Sequence, residues 1–299
     1  MSNHRMPTNK NKNHSILVSG ATGRQGGAAI RHLREKGFPV RALTRDPDQP
    51  NARKLTGHGA EVVRGDMEDQ KSLVRVLEDD VYGVYSVQNP QQVGTEGEIR
   101  QGTNLTDAAK RSRISHFIYS SVASADQRTG VPHFDSKFRL EEHIRATGMN
   151  FTVVRPVFFM ENWLSMRQSI DNGVLRLPLD PSTRLQMVAV DDIGGVVATA
   201  FERPGKWHGR VFELAGDELS MTELAQEFSV VTGREVRYIQ APWDEFEKQA
   251  GKEMTLMYRW FQEIGYQVDI GAVRHEYAGL TTFAKWINAA WHTVTATAT

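Results

Sequence analysis

The stretch SILVSGATGRQGGAAIRHL, residues 15–33, limits the possible fold more than any other part of the chain. A short apolar run ends at Ser19, Gly20, Gly23 and Gly26 follow at G-x-x-G-x-x-G spacing, and an amphipathic run begins at once. Glycine serves three needs in such a place: a tight turn, close approach of backbone to a bound anion, and tight packing of helix on strand. The head of the following helix then offers unpaired N–H groups and the positive end of its dipole. Strand, turn and helix together predict a dinucleotide pyrophosphate site formed by Gly20, Thr22, Gly23, Gln25 and Gly26, with Arg24 inside the loop placed to brace a phosphate on the adenosine side. A glycine-rich turn that holds no ligand is the competing reading.

The rhythm continues through the first half. Residues 15–19, 39–44, 60–65, 81–87, 116–121 and 151–156 read as strands, and 26–37, 70–80 and 96–112 as amphipathic helices. This alternation predicts right-handed βαβ units and a parallel sheet with helices on both faces, binding ligands beyond the carboxyl ends of its strands. After Pro156 the pattern changes. Residues 157–170 read as a helix, 172–190 as loop and strand, and 191–205 as a helix. A strand from Val211, a helix over 220–233 headed by Ser220 and Glu223 in capping-box spacing, a strand over 235–240 and a helix-rich tail follow.

The predicted class is therefore α/β: a Rossmann-type doubly wound parallel sheet with a smaller C-terminal α/β lobe. The expected divisions are a disordered arm over 1–14 and a dinucleotide-binding domain over 15–157, to which parts of 184–205 return. Residues 158–183 and 206–299 form the lobe for substrate or partner, closing over the carboxyl edge of the sheet, and the final TVTATAT reads as frayed.

Composition excludes several functions. The 36 basic and 36 acidic residues cancel, so the basic excess expected of a nucleic-acid binder is missing. With no cysteine there are no disulfides, thiolate metal sites or thiol nucleophiles, and the scattered histidines lack metal-ligand spacing. The polar N-terminus lacks the apolar core of a signal peptide, and no run approaches the roughly 20 apolar residues of a membrane span. A soluble, cytoplasmic protein with no membrane and no direct nucleic-acid contact is expected.

The second strand decides which dinucleotide fits. An NAD site normally ends that strand in Asp or Glu to hold the ribose 2′-hydroxyl. PVRALTRDP presents Thr44 and Arg45 instead, and a guanidinium suits a 2′-phosphate. NADP(H) is the expected coenzyme. Asp66, with Met67 beside it, follows the third strand as either an adenine contact or a helix cap; Gln88 and Asn89 end the fourth strand near the ribose and nicotinamide side. Pro156 ends the sixth.

HFDSK, residues 133–137, puts His133 and Lys137 one helical turn apart, with Cβ atoms roughly 5–6 Å from each other. GATGRQGG, VRALTRDP, GAEVVRGDMED, FIYSSV, HFDSK and VRPVFFMENW together resemble the NmrA-like branch of the atypical short-chain dehydrogenase/reductases, and around HFDSK the likeness is to its NADPH-sensor type. The resemblance covers roughly residues 16–190 and implies a Rossmann domain with a small lobe and NADP(H) as coenzyme. In reductases of the wider superfamily a tyrosine stands four residues before the lysine, which bonds the nicotinamide ribose and lowers the phenol pKa. Lys137 matches that lysine, or is a surface lysine paired with Glu141. His133 stands in the tyrosine position, either as a proton-transfer residue or as a structural or coenzyme-orienting one, and the Lys137 charge would favour its neutral form. Tyr119 reads as core by alternation. Ser120 and Ser121 end the fifth strand, where one is expected to contact substrate or ribose; Phe158, Phe159, Met160 and Trp163 line an apolar pocket or belong to the core, and Asn162 is placed to hydrogen-bond a ligand there.

Three functions stay open on this reading. The chain is a sensor or regulator responding to the NADPH/NADP⁺ ratio with weak reductase activity, an NADPH-dependent reductase of a small aromatic, carbonyl or quinone-like substrate, or a co-regulator that binds a transcription factor. Its partner is accordingly a small molecule or a regulatory protein, and a homodimer is compatible with the sequence.

Overall fold

The computed structural model describes residues 13–78 and 80–293; most of the arm expected over 1–14, and the frayed end beyond 293, lie outside the described residues. The first half runs β1 (Ser15–Val18), α1 (Arg24–Glu35), β2 (Val40–Thr44), α2 (Pro50–Gly57), β3 (Glu61–Arg64), α3 (Gln70–Leu77), β4 (Val81–Ser86), α4 (Pro90–Arg111), β5 (His116–Ser120), α5 (Pro132–Ala146) and β6 (Phe151–Pro156). The second half runs β7 (Phe158–Phe159), α6 (Arg167–Asp171), β8 (Val174–Leu177), β9 (Arg184–Val188), α7 (Val190–Glu202), α8 (Pro204–Trp207), β10 (Arg210–Leu214) and β11 (Asp217–Ser220). It ends with α9 (Met221–Thr232), β12 (Arg237–Gln240), α10 (Trp243–Ala250), α11 (Lys252–Glu263), α12 (Ile270–Glu276) and α13 (Phe283–Thr293).

Seven strands form one sheet in the order β10-β6-β5-β4-β1-β2-β3. The pairs β1–β2, β2–β3, β1–β4 and β4–β5 are all parallel. Strand order reverses between β1 and β4, and in open parallel sheets the ligand crevice lies at the carboxyl ends of strands flanking such a reversal. All of β1 and β5 is buried, side chains on both faces included, because helices cover the sheet on each side. The sheet and the doubly wound class expected from the sequence are both present.

The described residues divide into two compact units: those within 13–120, 140–153 and 194–211 form the first, and those within 121–139, 154–193 and 212–293 the second. In the first, Leu17, Val84, Phe117, Leu105, Leu140, Ile144 and Val153 share one core, all nearly inaccessible. Its helix α4 opens with Asn89 as N-cap and is broken at Gly94 (φ 72, ψ 171), so the regular part begins where the sequence pattern of 96–112 places it. The second unit holds a β11-β9-β7 sheet and a β12-β8 ladder. Ser220 and Glu223 make the capping box of α9 as expected: Glu223 N donates to Ser220 Oγ at 3.2 Å, and Ser220 N donates back to Glu223 Oε2 at 2.7 Å.

The helix expected over 157–170 is not formed. Phe158 and Phe159 pair with Met187 and Val188 in a parallel ladder, Met160–Met166 turns as a 3-10 helix, and only Arg167–Asp171 is α-helical. Apolar residues at helical spacing here serve a strand and a tight turn instead. Ladder hydrogen bonds and burial of Phe158 and Trp163 outweigh helix periodicity. The segment over 172–190 holds two strands, β8 and β9, where one was expected.

Candidate functional site

The glycine turn follows β1 in the first unit. Gly20 lies at φ +58, where a side chain would be strained, and a Cβ on it would press on Val87 at 3.2 Å. A Cβ on Gly26 would lie 2.3 Å from the Gly20 carbonyl oxygen and 2.7 Å from Ala21 Cα, contacts no side chain can make. Helix α1 begins on Gly23, and no side chain caps it. Its first N–H groups keep the arrangement that binds phosphate at other helix heads. Thr22, Gly23 and Arg24 are exposed there, while Gln25 is half-buried. Ser19 Oγ accepts from Val87 N at 2.8 Å and donates to Val87 O at 3.1 Å, tying the ends of β1 and β4. Gln25 Oε1 accepts from Tyr85 Oη at 3.1 Å and from Ser120 Oγ at 2.6 Å, so the turn is braced against β4 and β5.

The adenosine end of such a site falls at the ends of β2 and β3. Thr44 Oγ1 accepts from Asp46 N at 3.3 Å, and Arg45 is exposed just past β2. Glu68 lies near enough for the Arg45 charge to help lower its pKa, but its main partners are the hydrogen bonds from Arg100 and Gln101. Arg100 donates to Glu68 at 2.6 and 3.0 Å, and Gln101 at 2.9 Å. That carboxylate is thus held by Arg100 and Gln101, and Arg45 acts on it only through its charge. Asp66 is not the cap of α3. Asp69 is, accepting from Lys71 N at 2.9 Å, while Asp66 Oδ1 accepts from Glu68 N at 3.0 Å and shapes the loop.

Gln88, two residues past the end of β4, is only 5 % exposed. Its Nε2 donates to Ser86 Oγ at 2.9 Å and lies 3.7 Å from the Met67 sulfur, but its Oε1 is buried with no hydrogen-bond partner among the described residues. A buried amide oxygen left so costs on the order of 1–3 kcal/mol, and a hydroxyl- or amide-bearing ligand would satisfy it. With the uncapped helix head and a turn that admits no Cβ, this is the set of features a dinucleotide needs. Asn89 is the N-cap of α4, its Oδ1 accepting from Gln91 N at 3.1 Å, so that oxygen is committed to the helix.

Tyr119 is 1 % exposed, and burial, with Glu98 and Glu141 adding, holds its phenol well above the usual tyrosine range. It is core, as expected. Glu141 accepts from Arg145 Nη2 at 2.8 Å.

In the second unit, Ser121 N donates to Val154 O at 2.8 Å and Ala123 N to Pro156 O at 3.0 Å, which fixes the start of the loop between β5 and α5. Ser124 (φ 61) and Arg128 (φ 50) take left-handed backbone conformations unusual for residues other than glycine. Glu213 secures the first of these by accepting from Ser124 N at 2.9 Å. Arg155, 4 % exposed, donates to Asp126 at 2.9 Å and to Glu213 at 3.5 Å. Strained turns persist where the surroundings over-determine them, and this one leads into α5.

On α5, His133 and Lys137 are both half-buried. His133 Nδ1 lies 2.7 Å from Glu253 Oε1 in the first turn of α11. Next to the histidine, Phe134, fully buried, packs edge-on to Trp260 of α11 at 5.5 Å and stacks on Tyr266 just past that helix at 6.3 Å, so α5 and α11 are held together there. Trp163 does not line a pocket. It is 1 % exposed, packs on Phe158 and Phe228 at 5.4 and 5.9 Å, and directs Nε1 at Met187 Sδ 3.2 Å away. Phe158 is buried with it, while Phe159 and Asn162 are half-buried. Among the described residues no group of three or more His, Asp or Glu could hold a metal, and no helix is long and apolar enough to cross a membrane.

Glu253 and Glu213 carry no mark in the sequence that separates them from other surface carboxylates. Only the packing of α11 and β10 within the second unit brings them to HFDSK and its loop.

A parallel sheet in this order, with an uncapped glycine turn after its first strand, defines a Rossmann-type dinucleotide-binding protein. The chain belongs to the NmrA-like family, whose model matches residues 12–287. It is 31 % identical to the NAD(P)H azoreductase of Xenophilus azovorans over 228 residues, 75 % of this chain and 76 % of that protein. Its fold matches that of Citrobacter sp. triphenylmethane reductase, solved complexed with NADP(H), with a TM-score of 0.80 at 24 % identity over 92 % of this chain and 99 % of that one. It also matches NmrA, a negative transcriptional regulator solved in complex with NADP, with a TM-score of 0.78 at 23 % identity over 94 % and 96 %.

Proposed function

We propose that this protein is an NADP(H)-dependent reductase of small conjugated acceptors such as quinones, aromatic carbonyls or azo compounds. The first unit binds the coenzyme: the turn from Gly20 to Gly26 and the head of α1 hold the pyrophosphate, and Arg45 holds the 2′-phosphate. Lys137 bonds the nicotinamide ribose, and His133 supplies the proton. The bound nicotinamide supplies the hydride. The observation that carries this reading is the imidazole of His133, hydrogen-bonded to a carboxylate one helical turn before Lys137. A histidine so held can exchange a proton near neutral pH, as buried Tyr119 cannot. The azo substrate named for the Xenophilus relative, and the dye named for the Citrobacter reductase, are acceptors of the same conjugated kind.

A second reading is favoured by the departure of His133 from the tyrosine expected at that position. There the protein responds to the NADPH/NADP⁺ ratio and regulates a partner, as the description of NmrA would suggest for this chain. Sensing needs different affinities for the two redox forms in the two protein states, since equal affinity shifts no equilibrium. One experiment separates the readings: titration calorimetry with NADP⁺, NADPH, NAD⁺ and NADH, followed by NADPH-oxidation assays over quinones, aromatic carbonyls and azo dyes. Turnover of at least ~1 s⁻¹ supports the reductase. No turnover, with strong preference for one redox form of the phosphorylated coenzyme, refutes it in favour of the sensor.

A further inference from the structure

The strongest unassigned feature is the contact between His133 and Glu253, 120 residues apart in sequence. Resting on the reductase reading, we infer that Glu253 is the positioning residue of the proton donor: it holds His133 with the proton on Nδ1 and leaves Nε2 as the atom that gives a proton to the reduced acceptor.

The chemistry follows from the geometry. A carboxylate oxygen only accepts, so the 2.7 Å contact requires a proton on Nδ1. In neutral His133 this fixes the tautomer with the proton on Nδ1; in the imidazolium both nitrogens carry protons, and the Nδ1 proton stays with the carboxylate, so the Nε2 proton is the one given up. A charge-assisted bond of this length favours the protonated ring. Lys137, one turn along α5, works against it, and Lys252 beside Glu253 weakens the carboxylate field. The carboxylate wins because it touches the ring, whereas Lys137 acts over a helical turn and Coulomb energy falls with distance.

The pair is also built to persist. Glu253 sits in the first turn of α11, where the helix dipole favours a negative charge. Phe134, the next residue after His133, is locked between Trp260 and Tyr266 of the same region. The histidine ring is 20 % exposed and the carboxylate 46 %, so the proton lost to product returns from water.

The step balances for a quinone acceptor. The quinone takes a hydride, two electrons and one proton, from the reduced nicotinamide, and a second proton from His133 Nε2. The products are hydroquinone, oxidised coenzyme and neutral His133 still bonded through Nδ1 to an unchanged Glu253 carboxylate. Water then reprotonates Nε2.

The test uses the full chain with Glu253→Gln, Glu253→Ala and Glu253→Asp. Nitrogen-15 NMR of the imidazoles reads the tautomer and titration of His133, assigned by its loss in His133→Gln. Expected in the parent protein is the Nδ1–H tautomer when neutral. Glu253→Gln, which keeps a neutral acceptor, lowers the titration midpoint by about one pH unit, Glu253→Ala also mixes the tautomers, and Glu253→Asp restores part of the effect. With 1,4-benzoquinone and NADPH, Glu253→Gln lowers kcat at least about tenfold with KM within about twofold, and moves the alkaline limb of the pH profile to lower pH by the same amount as the NMR midpoint. Unchanged NMR tautomer and midpoint in Glu253→Gln and Glu253→Ala overturns the inference, as does an unchanged pH profile in an active enzyme. An intact NMR effect without turnover on any acceptor overturns the reductase reading and with it the role of the pair as a proton donor.

Discussion

His116 predicts a specific loss of stability in mild acid. It sits on β5 with no accessible surface, and its Nε2 lies 2.9 Å from Thr152 Oγ1. Thr152 Oγ1 donates to the Trp207 carbonyl at 2.6 Å, so its lone pairs accept from His116 and the ring carries its proton on Nε2. Nδ1 is then a bare nitrogen, buried with no partner among the described residues. The ring of His208 stands edge-on with centroids 4.4 Å apart, and Phe201 covers another side at 5.2 Å. A second proton would place a cation in this dry pocket. Burial, with the neighbouring His208 adding, lowers the His116 pKa from 6.5 to about 3.

The sign of the pH effect follows directly. Between pH 6.5 and about 3 the unfolded chain binds a proton at this position and the folded one does not, so folding stability falls as the pH falls through that window. Above 6.5 the contribution is complete, and below about 3 the loss levels off. At pH 5 the loss is RT ln(1 + 10^1.5), about 2 kcal/mol, and across the whole window it approaches roughly 5 kcal/mol. His208, lowered by its own burial, works in the same direction. The perturbation is His116→Gln, which keeps an N–H for Thr152 and cannot titrate. Urea unfolding followed by tryptophan fluorescence at about pH 7.5 and about pH 5 should show the parent losing about 2 kcal/mol more than the variant. Equal losses in both, or an NMR titration of His116 in the parent with a midpoint near 6.5, would refute the account of a histidine buried neutral.

The other expectations concern the coenzyme turn and the scaffold. Gly26→Ala drives a methyl group into the Gly20 carbonyl oxygen and should abolish measurable NADPH binding in calorimetry while the fold survives by circular dichroism; binding within about twofold of the parent would move the pyrophosphate elsewhere. Arg45→Glu removes a charge-assisted contact worth roughly 1.5–3 kcal/mol, so NADPH affinity should fall about tenfold or more with NADH affinity unchanged or improved. Equal losses for both coenzymes would show that Arg45 does not read the 2′-phosphate. Ser220→Ala breaks the capping box of α9 and should cost about 1 kcal/mol in urea unfolding without affecting coenzyme affinity.

What could be read before the structure is what short-range physics controls. The turn at Gly20–Gly26 is specified within a dozen residues, because one backbone oxygen, at Gly20, leaves no room for a Cβ six residues later. Strands β1 and β5 are buried on both faces and therefore appear as largely apolar runs, and the capping box of α9 is a four-residue signal. Reading fails where the deciding partner is distant. Residues 157–170 have helical spacing, yet β9, some thirty residues on, takes Phe158 and Phe159 as a strand. Asp66 and Asp69 are equally good caps by type, and the loop geometry gives the position to Asp69.

The same limit bears on His133, and there it changes the chemistry. From HFDSK alone the charge that shares the helix face of His133 is Lys137, since Asp135 two residues on points elsewhere, and this argues for a neutral imidazole and a poor acid. Glu253 reverses that argument, because a carboxylate at 2.7 Å outweighs an ammonium one helical turn away. The Phe134 contacts that align α5 with α11 carry no charge at all, yet they decide which charge the ring meets. Weakening that packing while leaving both polar residues in place should therefore lower the His133 titration midpoint much as removal of Glu253 does. Phe134→Ala, read by the same imidazole NMR, tests this, and an unchanged midpoint would mean that the pair forms without the aromatic clamp.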